Sequence, residues 1–359
     1  MDVLIRVLGF GLVALSLIDI YLTVLHPRLE SGWISLFLIR NVWKGARSLS
    51  RKLPRGGDQM LSHVGPVLIV CIIAVWFALL LLGFALVVWT GLGTEIQSTQ
   101  GDTPTDFIAA LYYSGFSLAT LGTGDLVPQT SFYRLLTILQ AVLGFSSFTL
   151  TITYVLSVYS AIIRYNTFAL SLYHRTAGTA DSVEFLVRLA AGGQGDRIPQ
   201  NVADIARDLI NILESQHSYP VLLYFRFSPT YYALPRLLFV SLNSATLIKS
   251  VFDPETHRSI AHSAAVAELW GGSMQLLLEL VGVLSLEPQQ TAAEHEQSLW
   301  RDRYMQAVAP LKHEGITPVL DLESGADRYV ALRQSWAPSL LQLTDYMAYR
   351  WSDIAPEER

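Results

Sequence analysis

The chain has 359 residues, of which 51% are hydrophobic and 15% charged, with a formal net charge of −5. A soluble domain usually carries about 25% charged residues, so this composition argues against a wholly soluble protein. The deficit lies in residues 1–163, which hold 9 Lys and Arg and 8 Asp and Glu, against 16 and 22 in residues 164–359. No basic stripe predicts a nucleic-acid partner, and the single cysteine, Cys71, excludes a disulfide within one chain.

The first apolar segment covers residues 3–25. As a helix it would span roughly 34 Å, which is enough to cross the hydrocarbon core of a bilayer. A cleaved signal peptide is the alternative, but only Arg6 precedes most of the apolar stretch and no small-residue cleavage site follows it. We therefore expect residues 1–27 to form an uncleaved N-terminal transmembrane helix.

A basic segment follows at residues 28–55, with one acidic residue, Glu30, against seven basic ones. The basic residues are Arg28, Arg40, Lys44, Arg47, Arg51, Lys52 and Arg55. Trp33, Leu36, Phe37 and Trp43 are interspersed, and this pattern predicts a helix lying in the membrane interface over residues 28–60. Short basic loops stay in the cytoplasm, so the N-terminus is expected outside.

Residues 66–89 form the second predicted span and run back to the outside. The acidic loop at residues 91–106 is then extracellular, and the last span, residues 132–163, returns to the cytoplasm. These limits give a pore domain at residues 61–165 and a cytoplasmic domain at residues 166–359, in a multi-pass protein of the plasma (inner) membrane that contacts lipid.

The cytoplasmic domain is predicted to be helical, because its amphipathic stretches are not interleaved with strand patterns. The predicted helices cover residues 182–191, 201–216, 234–252, 257–284 and 292–308. The third is apolar but contains Arg236, Asn243 and Lys249, which favours a buried helix of a soluble domain over a fourth span. No catalytic residues or cofactor-binding motif are apparent, and a cytoplasmic ligand or regulator is left open.

The hexapeptide Thr120-Leu121-Gly122-Thr123-Gly124-Asp125 lies between a short apolar helix pattern, residues 105–118, and the last span. Extended backbone at membrane depth is tolerated only where protein buries it or where it lines a water-filled path. Glycine reaches positive φ without steric cost, so backbone that alternates in hand is predicted here. A plain turn between two spans is the alternative, but it leaves the short apolar helix unexplained.

Residues 110–150 resemble the pore region of the tetrameric potassium-channel family. Ala-Leu-Tyr-Tyr-Ser at residues 110–114 resembles the start of that family's pore helix, and the hexapeptide resembles its Thr-Val-Gly-Tyr-Gly-Asp signature. Leu126, Pro128, Arg134 and Gly144 occupy positions where the family has the same residues. The resemblance implies a homotetramer that binds permeant K⁺, without another cofactor, at the backbone carbonyls of Thr120, Leu121, Gly122 and Thr123, with Asp125 at the outer mouth.

The sequence departs from that family at three places. Thr123 replaces the tyrosine of the signature, and Tyr112 and Tyr113 replace the tryptophans that support the filter. Phe116 stands where some members have a glutamate. Potassium selectivity is therefore the first expectation, and weakly selective cation conduction is the alternative.

On the last span, Phe145, Phe148, Ile152 and Leu156 share one helical face. The resemblance implies that this face lines the inner pore, where four apolar rings gate by dewetting; packing against lipid or a neighbouring helix is the alternative. Gly144 is included with this lining and gate, as either a hinge or a close helix contact.

Two charged residues of the predicted pore domain and first span need partners. Asp19 lies inside the first span, where a carboxylate is expected to be paired, hydrated or functional. Arg40 or Lys44 could neutralise it if the interfacial helix folds back, and hydration near the interface is the alternative. Arg134 is expected to pair with an outer carboxylate, such as Asp125 of its own or a neighbouring subunit, or to be solvated.

Together these patterns predict an all-α membrane protein with a potassium-channel-like pore domain, one extra N-terminal helix and a helical cytoplasmic domain. The predicted function is a cation channel gated by that domain, and not an enzyme. A non-conducting membrane-anchored sensor or scaffold is the alternative from another class. A cation transporter that joins four such units in one chain is disfavoured, because this chain has one unit.

Overall fold

The computed structural model describes residues 1–26, 32–53, 56–191, 197–286 and 293–355. In chain order the helices are α1 (Asp2–Ile20), α2 (Trp33–Ser50), α3 (Gly57–Ser62), α4 (Val64–Trp89), α5 (Phe107–Leu118), α6 (Ser131–Arg175), α7 (Ser182–Ala190), α8 (Ile198–Ser218), α9 (Leu234–Val251), α10 (Arg258–Ala261), α11 (Ala264–Val283), α12 (Glu294–His313), α13 (Leu322–Gln334), α14 (Ala337–Tyr346) and α15 (Trp351–Ile354). Strands β1 (Ile96–Ser98) and β2 (Leu126–Pro128) form an antiparallel pair. Arg28, Glu30, Arg55 and residue 292, named in the predictions above, lie outside the described residues.

The chain forms two compact units. Unit 1 contains residues 1–160 together with the segment His217–Phe225, and unit 2 contains residues 161–216 and the chain from Arg226 onward. The chain therefore passes between the units three times, once within α6, once within α8 and once after Phe225.

Unit 1 contains the three predicted spans as helices. The first is α1, which continues as a π-helical turn over Tyr21–Leu25, the second is α4, and the third is α6. The 45 residues of α6 correspond to about 68 Å of helix, more than twice the hydrocarbon thickness. This helix therefore extends beyond the predicted span and continues into unit 2.

A fourth segment, Arg258–Val283, is also long and apolar enough to cross a membrane. It comprises α10 and α11. Glu268 and Gln275 of α11 are exposed, Glu279 is half-buried and Leu278 is 51% exposed, whereas other apolar residues of the helix pack against α9 and α14. A helix that buries one apolar face and exposes charged residues is typical of the surface of a water-exposed domain, and the sequence predicts such a domain for this segment.

Helices α1 and α4 pack with their backbones in contact. A Cβ atom built on Gly9 would lie 2.5 Å from the carbonyl oxygen of Gly83, and one on Gly83 would lie 2.7 Å from that of Gly9. Farther along, Ser16 donates a hydrogen bond to the carbonyl oxygen of Trp76 at 3.0 Å. Small residues allow this close approach of membrane helices, so α1 is a tightly packed part of unit 1.

The segment His217–Phe225 packs on unit 1 through aromatic rings. Tyr224 meets Trp43 of α2 edge to face at 5.6 Å, and the Phe225 ring covers Gly65 of α4, where a Cβ would lie 2.7 Å away. Trp43 is 1% exposed. The predicted interfacial helix α2 thus buries one apolar face, while Trp33 and Phe37 stay exposed.

Unit 2 is built around α9, which is buried over nearly its whole length. Helices α7, α11, α12, α13, α14 and α15 pack against it. Two of its polar residues have partners on α13 or just after it: the Tyr329 hydroxyl donates to the Asn243 side-chain oxygen at 2.7 Å, and the Trp336 indole donates to the Thr246 hydroxyl at 3.2 Å. The prediction that this apolar segment is a buried helix is confirmed for the described residues.

Candidate functional site

The short helix α5 leads into the hexapeptide. It begins at Phe107, two residues later than predicted, because the Asp106 carboxylate caps it by accepting a hydrogen bond from the Ala109 backbone N–H at 2.9 Å. Its 12 residues give about 18 Å of helix, too short to cross a bilayer. The partially negative C-terminal end of the helix macrodipole lies at Leu118, next to the hexapeptide.

The backbone of the hexapeptide alternates in hand at every second residue. Thr120, Gly122 and Gly124 have φ values of 56°, 60° and 77°, which confirms the predicted alternation. The turn is tied to α5 by a hydrogen bond from the Leu121 N–H to the Phe116 carbonyl oxygen at 2.8 Å. A threonine with positive φ carries a local conformational cost of about 1–3 kcal/mol, so the surrounding contacts hold Thr120 in this conformation.

The hexapeptide is exposed in the single chain. Within the described part of the chain, no hydrogen bond reaches the carbonyl oxygens of Thr120, Leu121, Gly122 or Thr123. Backbone carbonyls that are unbonded in one chain are available to a partner or a cation. The residues predicted to form the filter therefore present the atoms that ion coordination requires.

The outer end of the hexapeptide is stabilised by side-chain hydroxyls. The Thr123 hydroxyl donates to the Asp125 carboxylate at 2.5 Å, and this bond, with a smaller one from Tyr112, holds the pKa of Asp125 below its ordinary value. The predicted pairing of Arg134 with Asp125 of the same chain was wrong, because the Arg134 guanidinium donates to the Pro128 carbonyl oxygen at 3.2 Å.

The residues that follow the hexapeptide form β2, which is hydrogen-bonded to β1. This strand pair was not predicted from the sequence. Ser98 pairs with Leu126, Gln97 with Val127 and Ile96 with Pro128. The pairing continues to Thr99, whose N–H donates to the Asp125 carbonyl oxygen at 2.8 Å. Strands of three residues leave too short an alternating pattern to be detected in a sequence.

The two tyrosines predicted to support the filter have different surroundings. Tyr113 is 1% exposed, and its hydroxyl is 2.6 Å from that of Thr137 on α6. Tyr112 is 46% exposed and meets the Phe116 ring edge to face at 5.3 Å. Tyr113 therefore fixes α5 to α6 inside the chain, whereas Tyr112 lies at the surface near Asp125.

Gly144 packs closely against the end of α5. It is buried there, and a Cβ atom would lie 2.1 Å from the carbonyl oxygen of Leu118. The structure therefore has the predicted close helix contact, and α6 continues through this position as a helix. Gly144 thus sets how closely α6 approaches the base of the hexapeptide. The predicted part of Gly144 in the pore lining and gate stays a prediction.

The apolar face predicted to line the inner pore is uncovered in the single chain. Phe145, Phe148, Ile152 and Leu156 are 65%, 56%, 45% and 64% exposed. The opposite face of α6 is buried in unit 1, for example at Ser147 and Thr151. Whether the exposed face meets a pore, lipid or a second copy stays open at this point.

Asp19 has partners that sequence reasoning did not name. It is 3% exposed, and its carboxylate accepts hydrogen bonds from the Ser35 hydroxyl at 2.6 Å, the Trp76 indole at 2.7 Å and the Ile34 backbone N–H at 2.9 Å. The predicted partners Arg40 and Lys44 are exposed, so that expectation was wrong. The first-turn N–H groups of α2, at the positive end of its macrodipole, take their place.

The backbone of residue 32 passes so close to the Asp19 carboxylate that only glycine fits there. A Cβ on Gly32 would lie 2.0 Å from an Asp19 carboxylate oxygen, and the Gly32 N–H donates to the Thr23 hydroxyl at 3.0 Å. The cluster of Asp19, Thr23, Gly32, Ser35 and Trp76, called here the Asp19 cluster, therefore joins α1, α2 and α4. Its only sequence signal is the acidic residue in an apolar span.

At the other end of α1, Arg6 contacts the outer loop. Its guanidinium donates to the Thr90 hydroxyl at 2.7 Å and lies 3.7 Å from the Glu95 carboxylate. The N-terminus therefore lies at the same end of unit 1 as the loop that carries β1. This placement agrees with the relative topology predicted from the basic segment.

Comparison with known proteins finds a family described as "Ion channel", which matches residues 67–161. A curated relative, "Uncharacterized membrane protein YdjJ" of Bacillus subtilis (strain 168), is 31% identical over 166 residues, or 46% of this chain and 47% of the relative. The chain thus spans about half the length of the curated relative that it matches, and no solved structure matches it. With its apolar helices, the protein is an all-α membrane protein, and the matched segment points to a channel rather than an enzyme.

Proposed function

We propose that this protein is a subunit of a homotetrameric cation channel that prefers potassium. One observation supports the proposal most strongly. Thr120, Gly122 and Gly124 have positive φ values, and the carbonyl oxygens of residues 120–123 accept no hydrogen bond from the described residues of their own chain. Four copies around an axis turn those oxygens into stacked rings that replace the hydration shell of a cation.

The rest of unit 1 supports this arrangement. The negative end of α5 lies at the base of the hexapeptide and favours a cation there, and in this proposal the Thr120 hydroxyl completes the innermost ring. The Asp125 carboxylate raises the local concentration of cations at the outer mouth. The exposed face of Phe145, Phe148, Ile152 and Leu156 surrounds the inner passage as four apolar rings.

Selectivity rests on how firmly the rings are held. Thr123 bonds to Asp125 at 2.5 Å, and the β1–β2 pair adds backbone bonds just beyond the hexapeptide. These contacts restrain the outer end in place of the tyrosine found in the resembling family. We therefore favour potassium over sodium, with weak selectivity as the alternative outcome.

The proposal is tested by reconstituting the purified protein into liposomes of defined lipid composition. Potassium and sodium uptake are measured separately, and the oligomeric mass is measured in the same preparation. A tetramer that passes potassium at least about tenfold faster than sodium agrees with the proposal. Equal uptake indicates a weakly selective channel, and a monomer, a dimer or a silent tetramer favours the sensor or scaffold.

We further propose that unit 2, in the cytoplasm, gates the channel through α6. The support is continuity, because the helix that carries the apolar rings runs on to Arg175 in unit 2. Insertion of three glycines after Ser160 breaks that continuity in the full-length chain. The open probability in single-channel recordings should change, whereas the same insertion after Gly101 in the outer loop should leave it unaltered. Equal open probability in both variants would contradict gating through α6.

A further inference from the structure

Unit 2 contains a cavity of about 170 Å³ that is lined by several charged and polar side chains. It lies among α7, α9, α12 and α13. The polar side chains that line it are Asp181, Asn243, Arg303, Gln306, Tyr329 and Arg333. Nothing in the proposed conduction pathway uses these residues.

Three of these side chains are buried and held in one network. Asn243, Tyr329 and Arg333 are 2%, 2% and 1% exposed. The Tyr329 hydroxyl donates to the Asn243 side-chain oxygen at 2.7 Å, and the Arg333 guanidinium donates to the Tyr329 oxygen at 2.7 Å. The wall of the cavity is therefore rigid and carries a fixed positive charge.

Aromatic rings hold the Arg333 guanidinium in place. Its central carbon lies 5.0 Å from the Trp300 ring centre, 5.3 Å from that of Trp336 and 5.6 Å from that of Phe239. Removing a charged group from water is unfavourable, and cation–π contacts offset part of that cost. The cage also fixes the plane of the guanidinium, so its orientation toward the cavity does not depend on a mobile side chain.

The rim of the cavity adds a second arginine. Arg303 is half-buried, and Gln306 lies one turn farther along the same face of α12. The one acidic residue among the lining side chains, Asp181, already accepts the Val183 N–H at 2.7 Å as the N-cap of α7. The charged side chains that line the cavity are therefore two arginines and one aspartate, in a half of the chain that is acidic as a whole.

We infer that this cavity binds a small anion bearing a carboxylate or phosphate group. Guanidinium groups match both anions through paired N–H donors, and Asn243, Tyr329 and Gln306 add neutral donors and acceptors. At about 30 Å³ per water molecule in the liquid, the cavity holds roughly five or six waters. That volume fits inorganic phosphate or a short dicarboxylate.

The test measures thermal unfolding of the full-length protein in detergent, with sodium phosphate or sodium succinate titrated against sodium chloride at matched ionic strength. The unfolding midpoint should rise and saturate with at least one of the two anions. Arg303→Gln should weaken the apparent affinity about tenfold or more, because it removes a charge-assisted contact. Arg303 is half-buried, so its replacement is expected to leave the fold intact.

The matched control is Arg328→Gln. This residue lies on α13 and lines a different cavity, next to Lys249, so its replacement should leave the anion response unaltered. The inference is overturned if neither anion shifts the midpoint, if Arg303→Gln responds like the wild type, or if Arg328→Gln abolishes the response. None of these readouts needs ion conduction, so this inference and the proposed channel can fail independently.

Discussion

The Asp19 cluster and the hexapeptide are two polar regions within the same membrane unit, and they differ in how their hydrogen bonds are satisfied. The Asp19 carboxylate is buried and accepts bonds from α2 and α4 of its own chain. The carbonyls of Thr120 to Thr123 are exposed and accept none within the described residues. A polar group completed inside one chain is typical of structural support, whereas one left incomplete at membrane depth must be buried by further protein or line a water-filled path.

The largest expected effect comes from Gly122→Ala. Its φ of 60° is strained for alanine although the space beside it is open, so the variant should abolish potassium uptake by liposomes while the oligomer persists. Gly101→Ala is the matched control, because Gly101 also has positive φ and open space but lies in the outer loop. Normal uptake by Gly122→Ala would contradict the filter assignment.

Co-expression of the wild type with Gly122→Ala tests whether conduction needs four intact copies of the hexapeptide. If wild type and Gly122→Ala are co-expressed in equal amounts, only about one sixteenth of randomly assembled tetramers contain four intact copies. Uptake should therefore fall to roughly that fraction, because each ring needs every chain. A fall to only one half would show that each chain works alone.

The next effect is expected from Gly144→Ala. The added Cβ atom meets the Leu118 carbonyl oxygen at 2.1 Å, so α5 and α6 must move apart at the base of the hexapeptide. Overpacking of this kind costs about 1–3 kcal/mol, and potassium uptake should fall together with thermal stability. In α1, Gly11→Ala adds a methyl group where no atom lies within 4 Å, and it should change neither quantity.

Asp19→Asn should lower stability and leave ion preference unaltered. The amide group presents a donor where Trp76 or Ser35 also presents a donor, and a buried donor left without an acceptor costs about 1–3 kcal/mol. The unfolding midpoint in detergent should therefore fall, while the potassium-to-sodium uptake ratio of the folded protein stays the same. Arg40→Gln is the control and should leave the unfolding midpoint unaltered. An equal loss of stability in this variant would indicate that Arg40 is, after all, the partner of Asp19.

The smallest effect is expected from Thr123→Val, and it depends on pH. The Thr123 hydroxyl holds the pKa of Asp125 below its ordinary value, so the outer carboxylate keeps its charge until the pH falls through that lowered pKa. Without the hydroxyl the pKa rises, and the loss of cation uptake on acidification should begin at a higher pH. Thr94→Val, elsewhere in the outer loop, should leave the pH profile unaltered.

The sequence alone predicts much of unit 1. Three apolar segments, the short α5 and the alternating glycines could all be read from periodicity and spacing. The partners of Asp19 could not, because they depend on how α2 folds back, and Ser35 and Trp76 show no pattern relative to Asp19. The position of Gly144 against Leu118 was likewise ambiguous, since a hinge and a close contact both favour glycine.

Unit 2 was less predictable. The helices up to residue 308 could be outlined from the sequence, but α13, α14 and α15 were missed. These helices have only 13, 10 and 4 residues, and such short stretches show little helical periodicity. The network around Arg333 links residues up to 90 positions apart, and no local pattern marks such a network. Sequence periodicity reports which face of a helix is buried, not which polar group it meets there.

The return of His217–Phe225 to unit 1 has a consequence for biogenesis. Ribosomes add about 5–20 residues per second. Tyr224 and Phe225, whose rings pack on Trp43 and Gly65, are therefore synthesised several seconds after the start of α6. Until then α2 and α4 lack the rings that cover Trp43 and Gly65, and this surface is open to chaperones. A chain that ends before residue 217 would therefore lack part of unit 1.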